Sequence, residues 1–140
     1  MRWILSAALI VLLGAAALSA QEKAASRSGV KAVASVMDVM RTMTIPFSNA
    51  VFEAGSEPPK DDAGWDRVRD QALVLAESGN LLMIGSRVKD RAAWLKFSRA
   101  QVDAAERAAT AAAAKNAEAL STSADAVYET CADCHKVYLK

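Results

Sequence analysis

Cys131 and Cys134 are separated by Ala132 and Asp133, and His135 follows directly. This Cys-x-x-Cys-His order is the attachment signature of a c-type haem. Each thiolate can add to one vinyl group of the porphyrin, and the imidazole is then held beneath the iron as an axial ligand. Positions three and four apart share one face of a helix, so the three side chains project together. Other chemistries use the same residue types. A structural zinc site takes four Cys or His ligands, and two cysteines with one histidine would need a carboxylate to complete it. A thioredoxin-like redox pair opens a helix after a strand, and no strand pattern precedes Cys131. A disulfide between these two positions on a helix requires the side chains to splay. Covalent haem, one per chain, is the reading that gives all three residues a task.

Any second protein ligand to the iron must come from upstream. His135 is the only histidine in the sequence, so bis-imidazole ligation within one chain is excluded. Met37, Met40, Met43 and Met83 remain as thioether donors, the first three spaced by three residues. A methionine stripe at helical spacing is also ordinary core packing. In a small bundle closed around a covalent haem, however, an apolar wall must face the iron opposite His135. Met40, central in the stripe, is the expected distal ligand, with Met37 and Met43 as alternatives.

The N-terminal residues carry the signal that such attachment needs. Met1-Arg2 is a short positive start, Trp3 to Leu18 is apolar apart from Ser6 and Gly14, and small residues dominate from Ala15 to Ala20. These are the three parts of a secretory signal peptide. Residues 1–20 are therefore expected to be removed, with cleavage at about 19–20, leaving 21–140 as one domain. An uncleaved anchor is the alternative, although sixteen positions fall short of the roughly twenty that span a bilayer. Export leads to the periplasm, an oxidising compartment, and no membrane association is expected once the signal is gone. Seventeen basic residues oppose sixteen acidic ones, and losing Arg2 leaves the mature chain formally neutral. That balance gives no polybasic footprint for nucleic acid and no strong steering field toward a partner.

The composition is 53% hydrophobic yet only 6% aromatic, much of it alanine, which favours helix throughout. After a polar leader from Gln21 to Ser28, an apolar face recurs at Val33, Val36, Met37, Met40, Met43, Phe47 and Val51. This predicts helix A, from Gly29 to about Phe52, bent near Thr42 to Pro46 by the proline. The stretch from Ala54 to Lys60, with Pro58-Pro59, is the clearest linker. Helix B follows a cap at Asp61 or Asp62 and buries Trp65, Val68, Ala72, Leu75 and Ala76. Ser78-Gly79-Asn80 reads as its stop, with continuation through Leu82 as the alternative. Helix C begins near Lys89 or Asp90, with Trp94, Leu95, Val102, Ala105, Ala109 and Ala112 inward. Lys115-Asn116 turns the chain into helix D, which carries Leu120, Ala124, Val127, Cys131, Cys134 and Tyr138 on one stripe. The expected fold is all-α, an antiparallel four-helix bundle able to hold a cofactor between facing helices.

With these features the chain resembles the class II c-type cytochromes: exported, four-helix, of about this length, with Cys-x-x-Cys-His close to the C-terminus. The resemblance runs from about Val30 to Lys140, and its one specific motif is Cys131 to His135. It implies thioether bonds at Cys131 and Cys134, proximal ligation by His135 and a distal residue in the Met37 to Met43 region. Low-spin members ligate iron through a helix A methionine, whereas the high-spin cytochromes c-prime leave it five-coordinate beneath an apolar residue. Tyr138 matches an aromatic often found three places after the histidine, and Leu139 stands where many members have a basic residue. Arg41 resembles the family's arginine that contacts a haem propionate; an exposed surface arginine is the alternative.

The function expected is periplasmic electron transfer through a His/Met-ligated haem, in exchange with redox partner proteins that the sequence does not identify. The alternative is a five-coordinate haem protein binding NO or CO. The carboxylates are scattered and the sole histidine is committed to iron, so no acid, base and nucleophile assemble and an enzyme is not expected. A third reading, a haem-stabilised subunit with Trp65 or Trp94 at an interface, competes with the simpler placement of both in the bundle core. Monomer and homodimer stay open.

Overall fold

The computed structural model describes residues 30–139, and all regular structure among them is helical. The expected signal peptide, residues 1–20, and the leader to Ser28 lie outside the described residues. The helical unit begins at Ala32.

Its first column comprises α1 (Val36–Val39), a π turn (Met40–Thr44) and α2 (Ile45–Ser56). Ser35 opens it with a capping box: its Oγ accepts the Asp38 N–H and the Asp38 carboxylate accepts the Ser35 N–H, each at 3.1 Å. Pro46 accounts for the wide turn. It has no N–H, and in a regular helix its ring would meet the Thr42 carbonyl. Instead the Ile45 N–H reaches back five residues to the Met40 carbonyl, and the expected bend is taken up there.

The extra residue in that turn also rotates the helix faces. Val39, Thr44, Ser48, Val51 and Ala54 point inward, whereas Met37 is 60% exposed and Val33, ahead of the helix, is 86% exposed. The expected apolar face is thus corrected in its first turn: residues 30–35 are not helical, α1 begins at Val36 behind its cap Ser35, and Met37 faces outward.

The second column is α3 (Asp62–Leu82), capped by Asp61, whose Oδ1 accepts the Gly64 N–H at 2.7 Å. Trp65, Val68, Ala72, Leu75 and Ala76 are buried as their spacing predicts. Ser78-Gly79-Asn80 does not stop this helix, which continues through Leu82. Gly79 is there for close approach: a Cβ would lie 2.7 Å from Val102 Cγ2 and 3.2 Å from the Ser98 carbonyl oxygen. A 3₁₀ turn, Gly85–Arg87, follows. Its buried Arg87 donates to the carbonyls of Ala34 at 2.8 Å and Leu81 at 2.9 Å, fastening the chain ahead of α1 to the end of α3.

The third and fourth columns are α4 (Arg91–Ala113) and α5 (Ala117–Tyr138), capped by Asp90 and Asn116. Between them the Lys115 N–H bonds the Ala112 carbonyl and the Asn116 N–H bonds the Ala111 carbonyl, with Lys115 at φ 52°. This is a Schellman ending with lysine in the left-handed place usually held by glycine.

The columns pack in a ring, α2 on α3, α3 on α4, α4 on α5 and α5 on α2. Short connections make neighbours antiparallel. Leu75, Leu120, Val51 and Val127 fill the centre, and the alanines of α4 let the helices approach closely. Trp65 and Trp94 are both buried. No helix among the described residues is long and apolar enough to cross a membrane.

Candidate functional site

Cys131, Cys134 and His135 line one cleft between the columns, and Met40 lines the same cleft. The sequence places these groups 91 or more positions apart; the antiparallel ring unites them, because α5 ends where the first column begins. Cys131 packs against the main core, Cys134 is partly buried, and His135 is exposed at the mouth. The π turn supplies Met40 and Thr44 to the facing wall, and such wide turns often mark functional sites. Met40 is partly buried against the small cluster of Val39, Leu82 and Trp94. Phe52, Trp94 and Phe97 make the remaining walls largely aromatic.

The other expected residues lie elsewhere. Met37 is exposed, and neither it nor Met43 lines the cleft. Arg41 also stands outside it, paired with Asp38 at 3.0 Å, its side chain 71% exposed. Met83 is partly buried and does not line it either.

Burial acts on both thiols in the same direction. Burial pushes the Cys131 thiol up, opposed by a hydrogen bond with Thr130. Burial also raises Cys134, with the neighbouring Cys131 adding to the shift. Thiol–disulfide catalysts depend on the reverse, a thiolate stabilised by positive surroundings. Both cysteines are free, and among the described residues no group of three or more His, Cys, Asp or Glu side chains could hold a metal ion.

Several residues of the site were not singled out by sequence. Phe97, Ser98 and Gln101 follow Trp94 at three, four and seven positions, so they share its face. The polar character of Ser98 and Gln101 hides them from an apolar stripe. The sequence puts Tyr138 on the inner stripe of helix D without indicating its partners. Its hydroxyl donates to the Asp90 carboxylate, and its ring meets Trp94 edge-on, centroids 4.9 Å apart.

The donor set fits a covalent haem: two neutral thiols on one helical face, an adjacent imidazole, and a thioether across an aromatic-walled cleft. The cleft measures about 190 Å³. Enclosed ligand sites run to roughly 300–1,000 Å³, so a tetrapyrrole held by Cys131 and Cys134 would stand partly in solvent. No family model, curated protein or solved structure matches this chain.

Proposed function

We propose that this chain is an exported electron carrier that holds one haem c through Cys131 and Cys134, with His135 and Met40 as axial ligands. The observation that carries the reading is the convergence of these four side chains on a single aromatic-walled cleft. A haem bound there would supply a one-electron iron couple. His135 would offer an imidazole nitrogen and Met40 a thioether, a pair that favours the reduced state. Phe52, Trp94 and Phe97 would limit water around the iron, and burial of this kind is a recognised lever on potential.

The sequence supports the same reading from outside the site. Residues 1–20 have the form of an export signal, and the Cys131 to His135 motif and the helix order resemble the class II c-type cytochromes. Among the described residues no carboxylate lines the cleft, and beside the Cys131 to His135 motif its titratable side chain is that of Tyr128. The partner would be another redox protein meeting the exposed mouth beside His135.

A second reading, five-coordinate haem binding NO or CO, is favoured by one observation. Met40 packs against Val39, Leu82 and Trp94, which would serve equally for a side chain that only covers the iron. The absorption spectrum of purified protein, oxidised and reduced, separates the two. A sharp low-spin α band supports the carrier, and a broad high-spin envelope supports the gas binder.

A further inference from the structure

We propose that Asp90 and Tyr138 form a latch that positions His135. The inference rests on the haem reading above and deepens it.

α5 ends at Tyr138, three residues beyond His135. The last bond of this helix joins the Leu139 N–H to the His135 carbonyl at 3.0 Å. A terminal turn of this kind frays unless it is tied down. Here the tie is specific. The Tyr138 hydroxyl donates to one carboxylate oxygen of Asp90, a residue 48 positions earlier. The other oxygen of Asp90 accepts the Ala93 N–H at 2.8 Å and the Trp94 N–H at 3.4 Å, capping α4. One carboxylate therefore fixes the start of α4 and the end of α5 together.

The ring of Tyr138 makes the second half of the latch. It meets Trp94 edge-on at 4.9 Å and 74°, and Phe97 at 6.2 Å and 87°. Trp94 is itself held, its indole N–H donating to the Leu82 carbonyl at 2.8 Å. Trp94 and Phe97 are walls of the cleft, so the same side chain that ends α5 also braces two walls of the cleft that the motif lines. His135 is exposed. Its direction is set by the turn that carries it. Holding that turn is the task the geometry gives to Tyr138 and Asp90, as positioning residues that need not touch the iron.

The test uses the full chain with its pigment. Tyr138→Phe keeps the ring and removes the hydroxyl. Asp90→Asn keeps an oxygen for the α4 cap and removes the charge on the acceptor. A lost bond to a charged group is expected to speed amide exchange over residues 135–139 about tenfold in Tyr138→Phe, with a smaller change in Asp90→Asn. Both variants should shift the reduction potential and the resting absorption bands, which a purely structural contact would leave in place. If the wild type is pigmented and exchange, potential and bands are unchanged in both variants, the latch is wrong and the haem reading stands. If the wild type carries no pigment, both are wrong.

Discussion

Thr44 and Ser78 are joined by a hydrogen bond of 3.0 Å beside the cleft, linking the π turn to α3. Ser78 Oγ accepts from Thr44 and from Gln101 Nε2 at 3.0 Å, and donates to the Leu75 carbonyl at 2.7 Å. Gln101 Nε2 also reaches that carbonyl at 3.2 Å. Three columns thus meet at one buried hydroxyl, and no buried side-chain polar atom among the described residues lacks a partner. A satisfied buried network specifies a single arrangement, because leaving one member unpaired costs more than the bond itself contributes.

The two ends of this network should respond unequally to truncation. Ser78→Ala strands two donors and is expected to cost about 2 kcal/mol. Thr44→Val removes one donor while Ser78 keeps Gln101, so it is expected to cost about 1 kcal/mol or less. Urea unfolding of the full chain measures both. Equal losses, or a larger one for Thr44→Val, would show that Ser78 is not the hub.

Position in the cleft separates the three methionines of the first column. Met40→Ala should turn a low-spin spectrum into a high-spin one, because among the described residues no other thioether lines the cleft. Met37→Ala and Met43→Ala should leave the α band where it is. Loss of the low-spin band in Met37→Ala or Met43→Ala, with Met40→Ala unaffected, would move the ligand to a different face of the helix.

The Asp90–Tyr138 pair makes stability depend on pH at both extremes. The bond to Asp90 raises Tyr138 to about 12, above the roughly 10 of a free tyrosine. Its contribution is therefore complete below about 10 and is lost as pH rises through about 12. Asp90 is held below its usual value, first by Tyr138 and then by the Ala93 N–H. Its contribution is present above the free-carboxylate value and is lost as pH falls through the lowered one. Unfolding midpoints across pH should show both declines in the wild type. In Tyr138→Phe the alkaline decline assigned to this group should be missing; an unchanged alkaline limb would contradict the assignment.

The parts of this fold legible in the sequence are those fixed by local chemistry. Asp61, Asp90 and Asn116 cap helices because a short acceptor side chain reaches the free N–H groups of the next turn, whatever lies beyond. The buried stripe from Trp65 to Ala76 follows from 3.6-residue periodicity alone. Errors arise where the rest of the molecule decides. Ser78-Gly79-Asn80 has the composition of a helix end, yet the helix passes through it. Ser78 bonds back to Leu75 within the turn, and the missing Cβ of Gly79 makes room for Val102.

The site divides the same way. Cys131, Cys134 and His135 are contiguous, so one helix face brings them together. Met40 stands out in the sequence only as the middle of the methionine stripe; that it lines the cleft while Met37 and Met43 do not is decided by the packing of the first column. The likeness of Arg41 to a propionate-binding arginine rests on position, and its own neighbour Asp38 holds it. The Asp90–Tyr138 contact has no local signature, since its partners meet only once the ring of helices closes.

Acidified-acetone extraction of denatured protein, made in cells able to attach haem, tests the covalent cofactor most directly. The red chromophore should stay with the wild-type polypeptide, and replacing both Cys131 and Cys134 by alanine should release it entirely. A wild-type chain that is colourless after this treatment, with both thiols still open to alkylation, would contradict the haem-protein assignment.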